Sequence, residues 1–249
     1  MNARTARVIR SGAIDPAGNM ALDEALLLIP GPPTVRLYQW SPPALSLGYF
    51  QRYAELDQEQ IRRAGLELVR RPTGGGAIAH CTELTFAITI EQREPPYDGP
   101  IDGSYVAVHA AIAAGLARLG AAPQVRGNAV LASDRAAGEF YCFYKSAPVD
   151  LIAGERKLLG SAQRRLGGRV LHHGSLPIKQ NPITPEASYL EGVLHRELSF
   201  DEVAAAVLAG LSEKLRWTFA AAEPTARERE LAAQLARAKY RSDSFLRRR

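Results

Sequence analysis

Three stretches of this sequence place chemistry-bearing side chains at suggestive spacings. The densest is Arg70-Arg71-Pro72-Thr73-Gly74-Gly75-Gly76. Three consecutive glycines cost backbone entropy that a simple turn does not require, so a close backbone approach or a positive φ is expected there. Peptide N–H groups beside two arginines suit a carboxylate, a phosphate or a polarised carbonyl, and a flexible hairpin with solvated arginines fits the same residues. The second is Lys157 followed by Gly160-Ser161-Ala162-Gln163. On a regular strand Lys157, Leu159, Ser161 and Gln163 share one face and Leu158, Gly160 and Ala162 the other. A cation and a hydroxyl would then lie about 13 Å apart along a polar groove, at about 3.3 Å per residue; an exposed strand face is the plainer alternative. The third is Cys142 within Glu139-Phe140-Tyr141-Cys142-Phe143-Tyr144. Among aromatics a cysteine is either a small core residue or, with a cation such as Lys157 beside it, a nucleophile.

Other chemistry is disfavoured. His80, His172 and His173 adjoin these stretches with no carboxylate at metal-ligand spacing, so no metal site is expected. The chain has no Walker spacing, GxGxxG, GxSxG elbow or paired-carboxylate pattern. Its two cysteines, Cys81 and Cys142, are too few for a disulfide framework and lack CxxC spacing, which leaves a single reactive thiol as the open possibility.

The elements that must position these residues follow from periodicity. Helices are expected at 19–29, with Asn19 as N-cap and Pro30 just past the end, at 55–64, at 102–119 between Asp102 and Gly120, and near 200–216 and 225–239. In 84–90 the period changes to two, the pattern of a strand with one buried face. Further strands are expected at 35–40, 44–49, 66–71, 139–144, 148–153, 156–165 and 169–178. Gly154-Glu155 and Gly167-Gly168 join the last three into an antiparallel meander. Strands gathered mid-chain with helices inserted and then collected at the end predict an α+β fold with a mixed, largely antiparallel sheet. One domain over 1–249 is expected, with 200–249 as its helical C-terminal part and 91–103 as a loop.

At 249 residues, 46% hydrophobic and 23% charged, the chain has the composition of a globular protein. The apolar stretch from Met20 to Pro30 is cut by Asp23 and Glu24 and is too short to cross a bilayer. The first residues lack a signal-peptide apolar core, so a cytoplasmic location is expected. Of the net charge of +5, residues 223–249 contribute +4. The basicity is therefore a C-terminal property, compatible with electrostatic steering of an acidic partner, and is no argument for nucleic acid.

Taken together, RRPTGGGAIAH followed by ELTFAITI, then KLLGSAQRR and VLHHGSLPI, with NMALDEALL and VRLYQWSPPALSLGYFQ before them, resemble the lipoate-protein ligase, biotin ligase and octanoyltransferase family over about residues 7–190. Cys142-x14-Lys157-x2-Gly160-Ser161-Ala162-Gln163 is similar to the LipM-type octanoyltransferases. The resemblance implies the family's α+β catalytic domain. It also implies transfer of octanoyl from octanoyl-acyl carrier protein to a lysine of a lipoyl domain such as the glycine-cleavage H protein, through a Cys142 thioester, in a monomer needing no ATP or metal. Lys157 would stabilise the Cys142 thiolate and the oxyanion. Arg71, Thr73, Gly74, Gly75, Gly76, His80, Gly160, Ser161, Ala162, Gln163, His173 and Gly174 would bind substrate, and Tyr38, Leu47 and Phe86 would line an acyl tunnel. An ATP-dependent lipoate ligase and an amidotransferase between lipoyl domains are the alternatives; no nucleic acid or membrane is implied. Cys81 stands where the family usually has an acidic or polar residue, and reads best as inert. Lys239-Tyr240 resembles the family's C-terminal motif, with Phe245 where a tryptophan often follows.

Overall fold

The computed structural model describes residues 4–128, 147–185 and 187–249; Cys142 and the strand expected at 139–144 lie outside them. An eight-stranded sheet is built from β1 (Arg4–Ile14), β2 (Thr34–Trp40), β6 (Glu83–Glu91), β7 (Gln124–Val125), β8 (Leu151–Ala153), β9 (Arg156–Leu166), β10 (Arg169–Pro177) and β11 (Trp217–Ala221). Its order is β11-β1-β2-β6-β10-β9-β8-β7. The first three strands run parallel and every later pairing is antiparallel, so the α+β, largely antiparallel expectation holds. A small sheet of β3 (Ala44–Leu47), β4 (Glu67–Arg70) and β5 (Ile78–His80) has order β4-β3-β5.

Helices cover both faces of the large sheet. On one lie α3 (Ile101–Ala117) and α5 (Phe200–Leu215), which pack Val108, Ile112, Leu116, Val203 and Val207 against Val35, Leu37, Phe86 and Ile88. On the other lies α1 (Pro16–Leu28), whose Met20 and Leu27 meet Tyr38, Trp40, Ala87 and Leu171. Strand alternation separates the layers: Leu37 looks to α3 and Tyr38 to α1. This second layer corrects the reading of β6, which is buried on both faces with the small residues Thr85, Ala87 and Thr89 beneath α1. Short helices α2 (Gln58–Arg63), α4 (Leu190–Leu194), α6 (Ala226–Leu235) and α7 (Asp243–Leu246), with a 3-10 turn at Tyr53–Glu55 and a π-helical turn at Ala236–Tyr240, complete the described elements.

Two helix starts differ from expectation. Asp15, not Asn19, caps α1, its carboxylate accepting from the Gly18 N–H. Asn19 lies one turn inside and uses its amide to hold the carbonyls of Ile14 and Gln39. At α3 the N-cap is Pro100 and Asp102 sits in the first turn, while Gly120 with φ +97 ends the helix as expected. The segment 200–249 is not wholly helical, since β11 joins the sheet edge beside β1. Nor does periodicity announce β1: a register shift between Arg10 and Gly12, where φ is +62, breaks its period of two.

Candidate active site

The glycine loop joins β4 to β5 against the end of β3. Gly75 has φ +93, and a Cβ at Gly48 would lie 1.9 Å from the Gly75 carbonyl oxygen, so positive φ and close approach are both required. The arginines do not face a ligand as free cations. Arg71 donates through Nη2 to the carbonyls of Gly74 (2.6 Å) and Gly76 (2.7 Å), and through Nη1 to that of Ser46 (2.9 Å). Arg70, fully buried, binds the carbonyls of Gly48 and Gln51 on one side and of Phe245 and Leu246 on the other. Their guanidinium groups thus shape the loop and pin the C-terminal turn to it.

Beneath the loop runs a buried chain from the small sheet to α1. The Thr73 hydroxyl lies 2.6 Å from His173 Nε2, and His173 Nδ1 lies 3.2 Å from Asp23 Oδ2. Asp23 also accepts from Arg36 at 2.7 Å and from the Tyr38 hydroxyl at 2.8 Å. Burial alone would raise the Asp23 carboxyl; Arg36, His173 and Tyr38 overcome it and hold it below the usual carboxylate value. With Asp23 ionised, His173 Nδ1 carries the proton donated to it. His80 is fixed likewise, between the Ser46 hydroxyl at 2.8 Å and the Glu83 carboxylate, with its ring stacked 3.8 Å from Trp40. Both histidines therefore have carboxylate partners, and the described residues contain no group of three candidate metal ligands.

Lys157 is buried and its ammonium lies 2.8 Å from Asp150 Oδ2. The expected line of Lys157, Ser161 and Gln163 is broken by a bulge: Ile152 pairs with Lys157 but Leu151 with Leu159, so Leu158 is the extra residue. The shift carries Lys157 across to the face of Gly160. A Cβ at Gly160 would lie 2.5 Å from Lys157 Cε and 2.6 Å from Nζ, so the ammonium occupies the space a side chain there would fill. Glycine at 160 is thus what allows the cation to reach this face. Asp150 is itself held by the Ala147 N–H at 2.7 Å.

Ser161 and Gln163 point the other way, toward α3. Their network fixes its own proton positions: the Val149 carbonyl can only accept from His109 Nδ1, so His109 Nε2 accepts from the Ser161 hydroxyl at 2.7 Å. His172 Nε2 then donates to Ser161 at 2.8 Å, and the Tyr97 hydroxyl donates to His172 Nδ1 at 3.0 Å. Gln163 donates to Ser104 at 2.8 Å. Burial drives the His109 pKa down to about 4 and His172 well below the ordinary histidine value. An unfolded chain binds those protons first, so the stabilising contribution of neutral His109 is present above about pH 6.5 and is lost as pH falls toward 4. It is worth of order 3 kcal/mol. Urea midpoints should accordingly fall across this window, and less so in His109→Gln; an imidazolium signal from His109 at pH 6 in NMR would contradict the network.

Between the loop, α1 and β10 lies a cleft enclosing about 420 Å³ of empty space, mouth included. Of the residues expected to bind substrate, Arg71, Gly74, Gly75, His80, Gly160, Ser161, Ala162, His173 and Gly174 border it. Thr73 stands behind His173, Gly76 is tied to Arg71, and Gln163 lies on the α3 side. The apolar wall is Met20, Tyr38, Trp40 and Ile78. Of the three expected tunnel residues only Tyr38 is there: Phe86 belongs to the α3 layer and Leu47 to the core under the small sheet. Cys81 is half-buried, and burial together with Glu83 pushes its thiol up to about 11, which keeps it protonated at neutral pH.

Sequence reasoning missed Asp23, Arg36, Asp150 and His109. One signal was available, since Asp23 interrupts an apolar helix where a charge survives only if paired. The C-terminal Lys-Tyr pair fastens the tail to α1: Lys239 reaches both Glu24 oxygens at 2.7 and 2.6 Å, and the Tyr240 hydroxyl donates to Glu24 at 2.7 Å.

Comparison with known proteins places this arrangement. Residues 15–197 match the family described as the lipoyl protein ligase A/B catalytic domain. The octanoyltransferase LipM of Moorella thermoacetica is 43% identical over 73% of this chain and 68% of its own length. That of Kyrpidia tusciae is 33% identical over 97% and 98%. Among solved structures, lipoate-protein ligase A bound with ATP superposes with a TM-score of 0.81 at 24% identity, covering 99% of each chain. A bipartite lipoate protein ligase from Thermoplasma acidophilum, studied with its E2 lipoyl domain, gives 0.75 at 22%, covering 99% and 96%. The last two show a shared fold. With the family model spanning most of the chain and relatives above 30% identity along nearly all of it, this protein belongs to the lipoyl protein ligase A/B catalytic-domain family.

Proposed function

We propose that this acyltransferase moves an octanoyl group from its thioester on acyl carrier protein to the ε-amine of a lipoyl-domain lysine, with Cys142 carrying the group between them. The Cys142 thiolate adds to the thioester carbonyl; the tetrahedral oxyanion collapses and expels the carrier thiolate, which takes up a proton. The acceptor amine then adds to the Cys142 thioester, loses a proton, and displaces the Cys142 thiolate to leave an amide. Dividing the transfer into two visits lets each bulky protein dock alone.

The observation that carries this reading is the Lys157 ammonium, buried against Gly160, which borders the cleft, and held by Asp150. A fixed cation in a site shielded from water favours both a thiolate and an oxyanion, and needs no reorganisation when charge develops. The wall of Met20, Tyr38, Trp40 and Ile78 suits the alkyl chain, at about 0.8 kcal/mol per buried methylene.

The test is to supply a lipoyl domain with octanoyl-carrier protein and no nucleotide. Octanoyl-lysine should form, and Cys142→Ala should abolish it. Product from free octanoate and ATP alone would identify a ligase, and product only from an already octanoylated lipoyl domain would identify an amidotransferase.

A further inference from the structure

The C-terminal residues 245–249 lie beside Arg70 and the segment 49–53, with the three terminal arginines against its aromatic rings. Arg248 stacks on Tyr49, its guanidinium carbon 4.1 Å from the ring centre, and Arg164 approaches the same ring at 5.1 Å. Arg249 lies 5.4 Å from the Phe50 ring and Arg247 4.9 Å from that of Tyr53. Four arginines thus lie over one aromatic surface, two on Tyr49 and one each on Phe50 and Tyr53; Phe50 is 63% exposed, and Asp243, 3.6 Å from Arg247, offsets one of the four.

This surface adjoins the cleft. The Tyr49 N–H donates to the Thr73 carbonyl at 2.7 Å, Arg164 donates to that of Pro72 at 2.9 Å, and the Phe50 ring lies 3.8 Å from where a Cβ of Gly74 would be. Buried Arg70 clamps the Phe245 and Leu246 carbonyls to the same loop, so the arginines are presented by a fixed turn. Hydrogen bonding from Arg248, opposed slightly by burial and helped by Arg164, lowers the Tyr49 phenol below its ordinary value, as expected of a positive local field.

We propose that Arg164, Arg247, Arg248 and Arg249, spread over Tyr49, Tyr53 and the exposed Phe50, form the docking surface for an acidic face of the acyl carrier protein that delivers the thioester. An exposed aromatic on a surface bearing cations combines an apolar anchor with electrostatic guidance, and its place beside Gly74 sets a docked carrier at the cleft's rim. The inference rests on the carrier being the donor, and deepens that reading.

Binding of holo-carrier protein and kinetics with two donors test it, using the full chain and the variant Arg247→Glu/Arg248→Glu/Arg249→Glu. Anisotropy should show carrier binding weakened about ten- to hundredfold at low ionic strength, with the wild-type advantage shrinking as salt is added. KM for octanoyl-carrier protein should rise by a similar factor while turnover of octanoyl-pantetheine stays unchanged. Unaltered carrier binding would overturn the proposal. So would equal losses with both donors, which would make the tail a support for the loop, or a loss with octanoyl-coenzyme A matching that with the carrier, which would make the arginines a phosphate site. Weakened binding of the lipoyl domain alone would assign the surface to the acceptor and overturn it too. If the wild type binds carrier but transfers no octanoyl, the proposed reaction fails, and the binding data still decide the surface.

Discussion

Replacing Lys157 with methionine is expected to lower octanoyl transfer by about 10²- to 10³-fold, the range seen when one preorganised stabiliser of an oxyanion is removed. The side chain is 3% exposed and its partner Asp150 4%, so the substitution also strands a buried carboxylate. Breaking such a pair from one side destabilises a fold by about 3–5 kcal/mol. Lys157→Met/Asp150→Asn separates the effects: it removes the lone charge and should recover most of the stability while leaving transfer as slow as in the single variant. Recovery of activity with recovery of stability would make Lys157 a structural residue. A second readout is the pH profile of Cys142 alkylation, which should move to higher pH without the cation; an unchanged profile would remove the role in thiolate stabilisation.

Gly160→Ala is expected to cost transfer about 100-fold with little change in stability. Its methyl would fall 2.5 Å from Lys157 Cε and 2.6 Å from Nζ, and the flexible end of the lysine can yield where backbone could not. The ammonium would move by roughly 1 Å, a displacement that can cost about 10²-fold in rate. Gly103→Ala is the control, since a Cβ there meets nothing within 4 Å. Steady-state kinetics beside thermal melts check the pair, and wild-type rates in Gly160→Ala would show that the position of the ammonium does not limit the reaction.

Much of this arrangement is legible in the sequence because it follows from local pattern. The β8-β9-β10 meander follows from the glycine pairs, whose positive φ at Gly154, Gly167 and Gly168 is what tight hairpins need. The requirement for glycine at 75 follows from the triple repeat. What escaped depends on contacts between distant segments. The bulge at Leu158 moves Lys157 from the Ser161 face to the Gly160 face, and no period of two can announce the residue that breaks it. The pairing of Asp23 with Arg36 and His173 joins α1, β2 and β10 across 150 positions of chain. Arg70 and Arg71 looked like ligand cations because a sequence shows a guanidinium but not the carbonyls folded around it.

The central claim is that the acyl group passes through Cys142, and intact mass spectrometry tests it most directly. Incubated with octanoyl-acyl carrier protein and no ATP, the wild-type chain should gain one octanoyl group. The adduct should be lost on hydroxylamine treatment, map to Cys142 and be absent in Cys142→Ala. A chain that gains no octanoyl from the carrier, yet modifies a lipoyl domain when given ATP and free octanoate, would contradict the account.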